Sequence, residues 1–151
     1  MKYLSLALLL VLFISFPSLA EPSNKARFIP LLKSKLGAYQ VISTNSSLCV
    51  DSQLHFTNKN NPSEGFRLGK QIVFGTLHNG TQTKKKPNFC FITSSLRYKS
   101  DGLDNGLRMT RCDKSINERT IRQTIRFLPN GILKYTLSDP SVECTFKKAT
   151  Q

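Results

Sequence analysis

Turn-forming residues punctuate this chain from Gly37 onward at intervals of roughly ten residues, and this spacing constrains the fold more than any other feature. Short alternating or β-branched segments lie between the turns, as is typical of β-strands. The pattern predicts an all-β domain, either a small antiparallel meander barrel of about eight strands or a two-sheet β-sandwich. We predict strands at 38–44, 50–57, 65–69, 71–77, 88–97, 105–112, 120–128, 131–137 and 142–147.

The clearest strand covers residues 120–128, and a tight turn at Pro129-Asn130-Gly131 follows it. Asn and Gly tolerate a positive φ, so the segment 132–137 is expected to return as the antiparallel partner. Apolar and polar residues alternate along the strand, which predicts one face toward the core and one toward water. The apolar set is Ile121, Ile125 and Phe127, and the polar set is Arg122, Thr124 and Arg126.

The chain has four cysteines, Cys49, Cys90, Cys112 and Cys144. In an exported protein, which meets an oxidising compartment, two disulfides are the default interpretation. A zinc site is disfavoured because no Cys-x-x-Cys pair is present. We therefore expect neither a metal nor a cofactor.

A second hairpin is predicted to turn between Ser100 and Gly106. If paired residue numbers add up to about 202, Cys90 lies opposite Cys112 and the two can form a disulfide. Cys49 and Cys144 then pair by elimination, which would join the turn after the first strand to the last strand and favour a closed barrel. In this register four apolar residues share one face, namely Phe89, Phe91, Leu107 and Met109.

The first 20 residues have the pattern of a secretory signal peptide. Lys2 supplies the positive charge, residues 4–16 form an apolar run, and Ser18-Leu19-Ala20 offers a cleavage site. Cleavage after Ala20 predicts a secreted or periplasmic protein. An N-terminal segment, residues 21–36, follows with a short helical turn within 26–35 that Pro30 is expected to limit, and residues 37–151 form a single disulfide-stapled β-domain.

The segment Leu36-Gly37-Ala38-Tyr39, which follows the short apolar helical turn and opens the first strand of a meander, resembles the start of lipocalin-like barrels. The opening motif of that family is Gly-x-Trp, and Tyr39 stands here in place of the Trp. The resemblance implies a small secreted β-barrel and, as one function, a carrier of a small apolar ligand.

The chain is strongly basic, with 22 Lys and Arg against 9 Asp and Glu. Loss of the signal peptide leaves a charge of about +12, which favours anionic partners. Four cations are predicted on the water-facing side of adjacent strands, where they would form a basic stripe: Arg108, Arg122, Arg126 and Lys134, joined at a loop by Lys84, Lys85 and Lys86. The leading prediction is thus a non-enzymatic protein that binds an anionic polymer or membrane surface through this stripe.

Two other functions stay open. A carrier would need an empty barrel interior, yet ten large side chains are expected there and favour a filled core: Tyr39, Val41, Phe74, Phe89, Phe91, Leu107, Met109, Ile125, Phe127 and Tyr135. A ribonuclease-like enzyme would use His55 and His78 as acid and base. His78 lies in a His-Asn-Gly turn and His55 on the polar side of a strand, so neither position calls for catalysis.

Overall fold

The computed structural model describes residues 24–85, 91–110 and 118–150, which form one helix and ten strands. The signal peptide prediction lies outside these residues. Two short 3-10 turns, Pro62–Glu64 and Pro129–Gly131, interrupt the strands. The elements are α1 (Asn24–Lys35), β1 (Gly37–Thr44), β2 (Ser52–Phe56), β3 (Phe66–Leu68), β4 (Ile72–Phe74), β5 (Gly80–Lys85), β6 (Phe91–Lys99), β7 (Gly102–Thr110), β8 (Arg119–Phe127), β9 (Ile132–Ser138) and β10 (Ser141–Lys148).

All ten strands belong to one antiparallel sheet in the order β4-β3-β2-β1-β10-β9-β8-β7-β6-β5. The all-β prediction is confirmed, with ten strands where about eight were expected. The β8 and β9 strands form the predicted hairpin, with Phe127 opposite Leu133. Asn130 (φ 59°) and Gly131 (φ 72°) adopt the left-handed backbone in the turn between them. The sheet has an inner face, which carries the buried side chains, and an outer face exposed to solvent.

The two ends of the sheet must lie near each other although no backbone ladder joins them. The terminal strands β4 and β5 are consecutive in the chain, and the link between them is residues 75–79. Such a link spans at most about 20 Å, whereas a flat ten-stranded sheet is about 40 Å wide. The sheet therefore bends back on itself and leaves an open seam between β4 and β5. Both a barrel and a sandwich satisfy this geometry.

A disulfide ties the turn after the first strand to the last strand. Cys49 and Cys144 are bonded with their Cα atoms 5.8 Å apart, and β1 pairs with β10 from Tyr39 opposite Lys148 to Thr44 opposite Cys144. The predicted Cys49–Cys144 bond is confirmed. The prediction that the first and last strands, β1 and β10, are neighbours in the sheet is also confirmed. Cys90 and Cys112 lie outside the described residues, so their bond stays a prediction.

The register of the β6–β7 hairpin differs from the predicted one by one residue. Lys99 lies opposite Gly102 and Phe91 opposite Thr110, so paired numbers add up to 201. Because a slip of one residue exchanges the two faces of a strand, Phe91 is not on the face of Leu107 and Met109 as predicted. It is half-buried on the outer face. The turn between β6 and β7 is shorter than expected, because β7 already begins at Gly102.

Strand β5 was not predicted, because Gly80–Lys85 contains no apolar residue. In the structure every residue of this strand is exposed. Its backbone pairs with β6 on one side only, which suits a polar, lysine-bearing edge. The prediction that Lys84 and Lys85 lie in a loop beside the basic stripe is wrong. They are successive strand residues, so Lys84 is on the inner face and Lys85 on the outer face; Lys86 lies outside the described residues.

Helix α1 is longer than the turn predicted for 26–35, and it continues through Pro30. Phe28 and Leu32, one helical turn apart, are buried in the core. The Phe28 ring lies 6.1 Å from that of Phe66 and 5.4 Å from that of Tyr98. Burial of these two side chains contributes more than the hydrogen bond that Pro30 removes.

Candidate functional site

A cavity of about 320 Å³ opens on the inner face of the sheet beside the seam. Its size falls at the lower end of the range of small-molecule sites. Strands from both sides of the seam contribute to it, which is a direct result of the bending of the sheet. It is lined by Val73, Phe74, Gly75, Thr76, His78, Gln82, Lys84, Ile92, Ser94, Leu96, Asn105, Leu107 and Gln123.

Polar side chains form a hydrogen-bonded row across the inner face, which we call the polar row: His78, Ser94, Asn105, Gln123 and Tyr135. The Nε2 atom of His78 lies 3.1 Å from Ser94 Oγ, which donates to Asn105 Oδ1 at 3.1 Å. Asn105 Nδ2 donates to Gln123 Oε1 at 3.1 Å, and Gln123 Nε2 donates to the Tyr135 hydroxyl at 3.5 Å. A polar row inside an otherwise apolar core gives the cavity one side that can form hydrogen bonds.

The position of His78 is fixed by the link between β4 and β5. Leu77 is buried, and its N–H donates to Ser63 O at 2.8 Å. The Tyr98 hydroxyl donates to His78 O at 2.8 Å, and burial raises the pKa of Tyr98 to about 12. Only 6 % of His78 is exposed. Sequence reasoning placed His78 in a turn and did not predict its burial, because Asn79-Gly80 is typical of an exposed turn and the residues that bury His78 are on strands distant in sequence.

The interior is only partly the filled core that was predicted. Of the ten expected interior residues, Tyr39, Phe74, Ile125, Phe127 and Tyr135 are buried. Val41, Leu107 and Met109 are half-buried on the inner face, and Phe91 is on the other side. Phe89 lies outside the described residues. Polar Ser94, Asn105 and Gln123 occupy inner positions where a filled barrel would have apolar side chains, and the cavity lies beside them.

The predicted basic stripe does lie on one face, because β7, β8 and β9 place Arg108, Arg122, Arg126 and Lys134 on the outer side. Three of the four cations are paired with carboxylates. Arg108 binds Glu118, Arg126 binds Asp104, and Lys134 Nζ lies 2.6 Å from Glu143 Oε1. The Arg108 guanidinium lowers the pKa of Glu118. These pairs cancel most of the positive charge that the stripe would offer to an anion.

Arg122 differs from the other three, since no carboxylate pairs with it among the described residues. It lies directly across from Gly106 on β7. Arg97 is on β6, two residues along from Ser95, which lies opposite Gly106 on the other side. The absent side chain of Gly106 leaves a surface groove of about 520 Å³ that both arginines line. Arg97 was not among the predicted anion-binding residues.

The two histidines do not form a catalytic pair. His55 is on the solvent side of β2, where its Nδ1 lies 3.0 Å from Gln53 O, whereas His78 lines the inner cavity. A general acid and base must both reach one substrate, and residues on opposite faces of a sheet do not. Within the parts of the chain described here, no group of three His, Cys, Asp or Glu side chains could hold a metal ion.

The chain matches no model of a known protein family, and no curated protein or solved structure matches it. Among the described residues, no helix combines the length and the apolar character that crossing a bilayer requires. The geometry of the cavity and of the outer groove is therefore the basis for assigning a function.

Proposed function

We propose that this protein is an exported, non-enzymatic binding protein that takes one small, largely apolar molecule into the cavity beside His78. The observation that carries the proposal is a cavity of about 320 Å³ on the inner face, lined by side chains from β4 through β8. The Cys49–Cys144 bond is compatible with export, because disulfides persist in oxidising compartments.

The composition of the lining supports a mainly apolar ligand. Five of the lining side chains are aliphatic or aromatic, and they come from three different strands: Val73, Phe74, Ile92, Leu96 and Leu107. The polar row closes one side and offers a few directed hydrogen bonds. Apolar walls with a small number of placed polar groups are the usual composition of a small-molecule site.

A substitution that fills the cavity should abolish binding. We expect the neutral fluorophore N-phenyl-1-naphthylamine to bind the mature protein at one site, with a rise in emission as it leaves water. Leu107→Trp replaces a leucine side chain with a larger indole ring in the cavity. It should weaken binding at least about tenfold, a loss of about 1.4 kcal/mol of binding free energy. Fluorescence titration measures the dissociation constant of the fluorophore for the parent protein and for the variant.

The matched control is Ile42→Trp, because Ile42 is 55 % exposed on β1, a strand that does not line the cavity. This variant should bind the fluorophore as the parent does. Equal loss of binding in both tryptophan variants, or no rise in emission with the parent protein, would contradict the proposal.

A second candidate function is binding of an anionic polymer at the outer face, and the groove that Arg97 and Arg122 line favours it. A guanidinium without a carboxylate partner can bind sulfate or phosphate oxygens bidentately. The excess of basic over acidic residues in the whole chain would attract such a polymer over a longer range.

The double variant Arg97→Gln and Arg122→Gln tests this second function. It should elute from immobilised heparin at a clearly lower salt concentration than the parent. Each lost sulfate contact weakens binding and releases fewer counterions, so less salt is needed to displace the protein. Lys59→Gln with Lys70→Gln removes the same charge from two exposed positions outside the groove. If both double variants elute together, the attraction is due to net charge alone and the groove is not a site.

A further inference from the structure

The cavity beside the seam has an apolar wall toward the core and a polar rim toward solvent. Leu96 is buried and Leu107 is half-buried, and both line the cavity. Thr76, Gln82 and Lys84 line the same cavity but are exposed. A ligand in this cavity can therefore bury an apolar part along the wall and keep a polar part in water at the rim.

The strand register places the side chain of Lys84 on the cavity side of the sheet. Lys84 lies directly opposite Ile92 on β6, and directly opposite residues have their side chains on the same face. Both of these residues line the cavity, whereas Thr83 and Lys85, the chain neighbours of Lys84, do not. A lysine ammonium is on a flexible four-carbon stem, so the exposed Lys84 can place its charge at the opening of the cavity.

The charge at this opening is positive. Lys84 is the one charged residue of the described lining, which contains no carboxylate. None of the ion pairs between described residues includes Lys84. An ammonium without a carboxylate partner attracts an anionic head group and repels a cationic one. The excess of 22 Lys and Arg over 9 Asp and Glu in the whole chain acts in the same direction.

We infer that the cavity ligand is an amphiphile with one apolar tail and one anionic head group, a carboxylate or a sulfate, which lies at the opening against Lys84. This inference rests on the proposed function and adds the class of ligand to it. Burial of the tail along the apolar wall supplies most of the affinity. The exposed ion pair contributes less, and its role is to select the sign of the head-group charge.

Competition against N-phenyl-1-naphthylamine with decanoate and decylamine tests the inference. The two probes have tails of nearly the same length and carry opposite charges at neutral pH. We expect the parent protein to bind decanoate about tenfold more tightly than decylamine, because the attraction of one head group and the repulsion of the other add together. Decyl sulfate should also bind more tightly than decylamine, and raising the salt concentration should reduce both preferences.

The variant Lys84→Gln removes the charge at the opening. Its affinities for decanoate and decylamine should be within about threefold of each other. Lys85→Gln is the matched control, because it removes the same charge from the adjacent exposed residue, which does not line the cavity. This control should retain the preference of the parent protein. Lys84→Arg keeps the positive charge and should retain the preference as well.

The outcomes separate the inference from the proposed function. If the fluorophore does not bind the parent protein, the proposed function fails and the inference fails with it. If the fluorophore binds but decylamine displaces it as well as decanoate does, the cavity is a binding site and the inference about the head group is wrong. Equal loss of the preference in Lys84→Gln and Lys85→Gln would assign the preference to net charge and overturn the role of Lys84. Loss of the preference in Lys84→Arg would also overturn it.

Discussion

Loss of the Cys49–Cys144 disulfide is expected to lower the melting temperature of the protein without residues 1–20 by on the order of 15 °C. The bond joins residues 95 positions apart and ties the turn after β1 to β10. In the chain-entropy model, closing a loop of this length in the unfolded chain stabilises the fold by roughly 4 to 5 kcal/mol. For a domain of about 130 residues, each kcal/mol shifts the melting temperature by about 3 to 5 °C.

The double variant Cys49→Ala with Cys144→Ala removes this bond without leaving a free thiol, and calorimetry gives its melting temperature. The reduced parent protein is the control, since it loses the bond without losing side-chain volume. Because it keeps both side chains, it should melt no lower than the double variant if Cys90 and Cys112 are unbonded, and lower if reduction also opens the predicted bond between them. A double variant that melts within about 3 °C of the oxidised parent, less than 1 kcal/mol by the same conversion, would show that the tie between first and last strands contributes little.

Gly102→Ala should destabilise the protein by about 2 to 4 kcal/mol. A Cβ atom at this position would lie 1.9 Å from the carbonyl oxygen of Ile125 on the neighbouring strand. The oxygen belongs to the backbone of β8 and cannot rotate away, so the whole β7–β8 ladder must shift. Denaturant unfolding measures the loss of stability.

Gly106→Ala on the same strand and the same face is the matched control. Its added Cβ would meet nothing closer than Ser95 O at 3.9 Å. This variant should keep the stability of the parent or gain a few tenths of a kcal/mol, since alanine has less freedom in the unfolded chain. Similar losses in both variants would mean that the β7–β8 register described here is wrong.

The parts of the fold that the sequence predicted depend on local patterns. Alternation in β8 and the Pro129–Gly131 turn specify a hairpin from adjacent residues, and the structure has that hairpin. Strand β5 was missed because an edge strand needs no apolar side to be stable. The β6–β7 register was wrong by one because Asp104 and Asn105 read as turn residues, whereas partners on β8 stabilise both within a strand.

The candidate site depends on contacts that no local pattern encodes. The alternation of apolar and polar residues along β8 predicts that Arg126 lies on the outer face. Its pairing with Asp104 follows only from the β7–β8 register. His78 is buried because the seam brings the link between β4 and β5 against β6, and its polar partners come from separate strands. Sequence reasoning therefore found the stripe and missed both its carboxylate partners and the cavity.

An NMR titration with N-phenyl-1-naphthylamine tests most directly whether the cavity beside His78 is the binding site. We predict that the amide signals of Ser94, Leu96, Asn105 and Leu107, which line the cavity, shift as the fluorophore saturates one site. Signals of Lys59 and Lys70, which are outside the lining, should stay in place. Shifts confined to the outer groove around Arg97 and Arg122, or no shifts at saturating fluorophore, would contradict the assignment of the cavity.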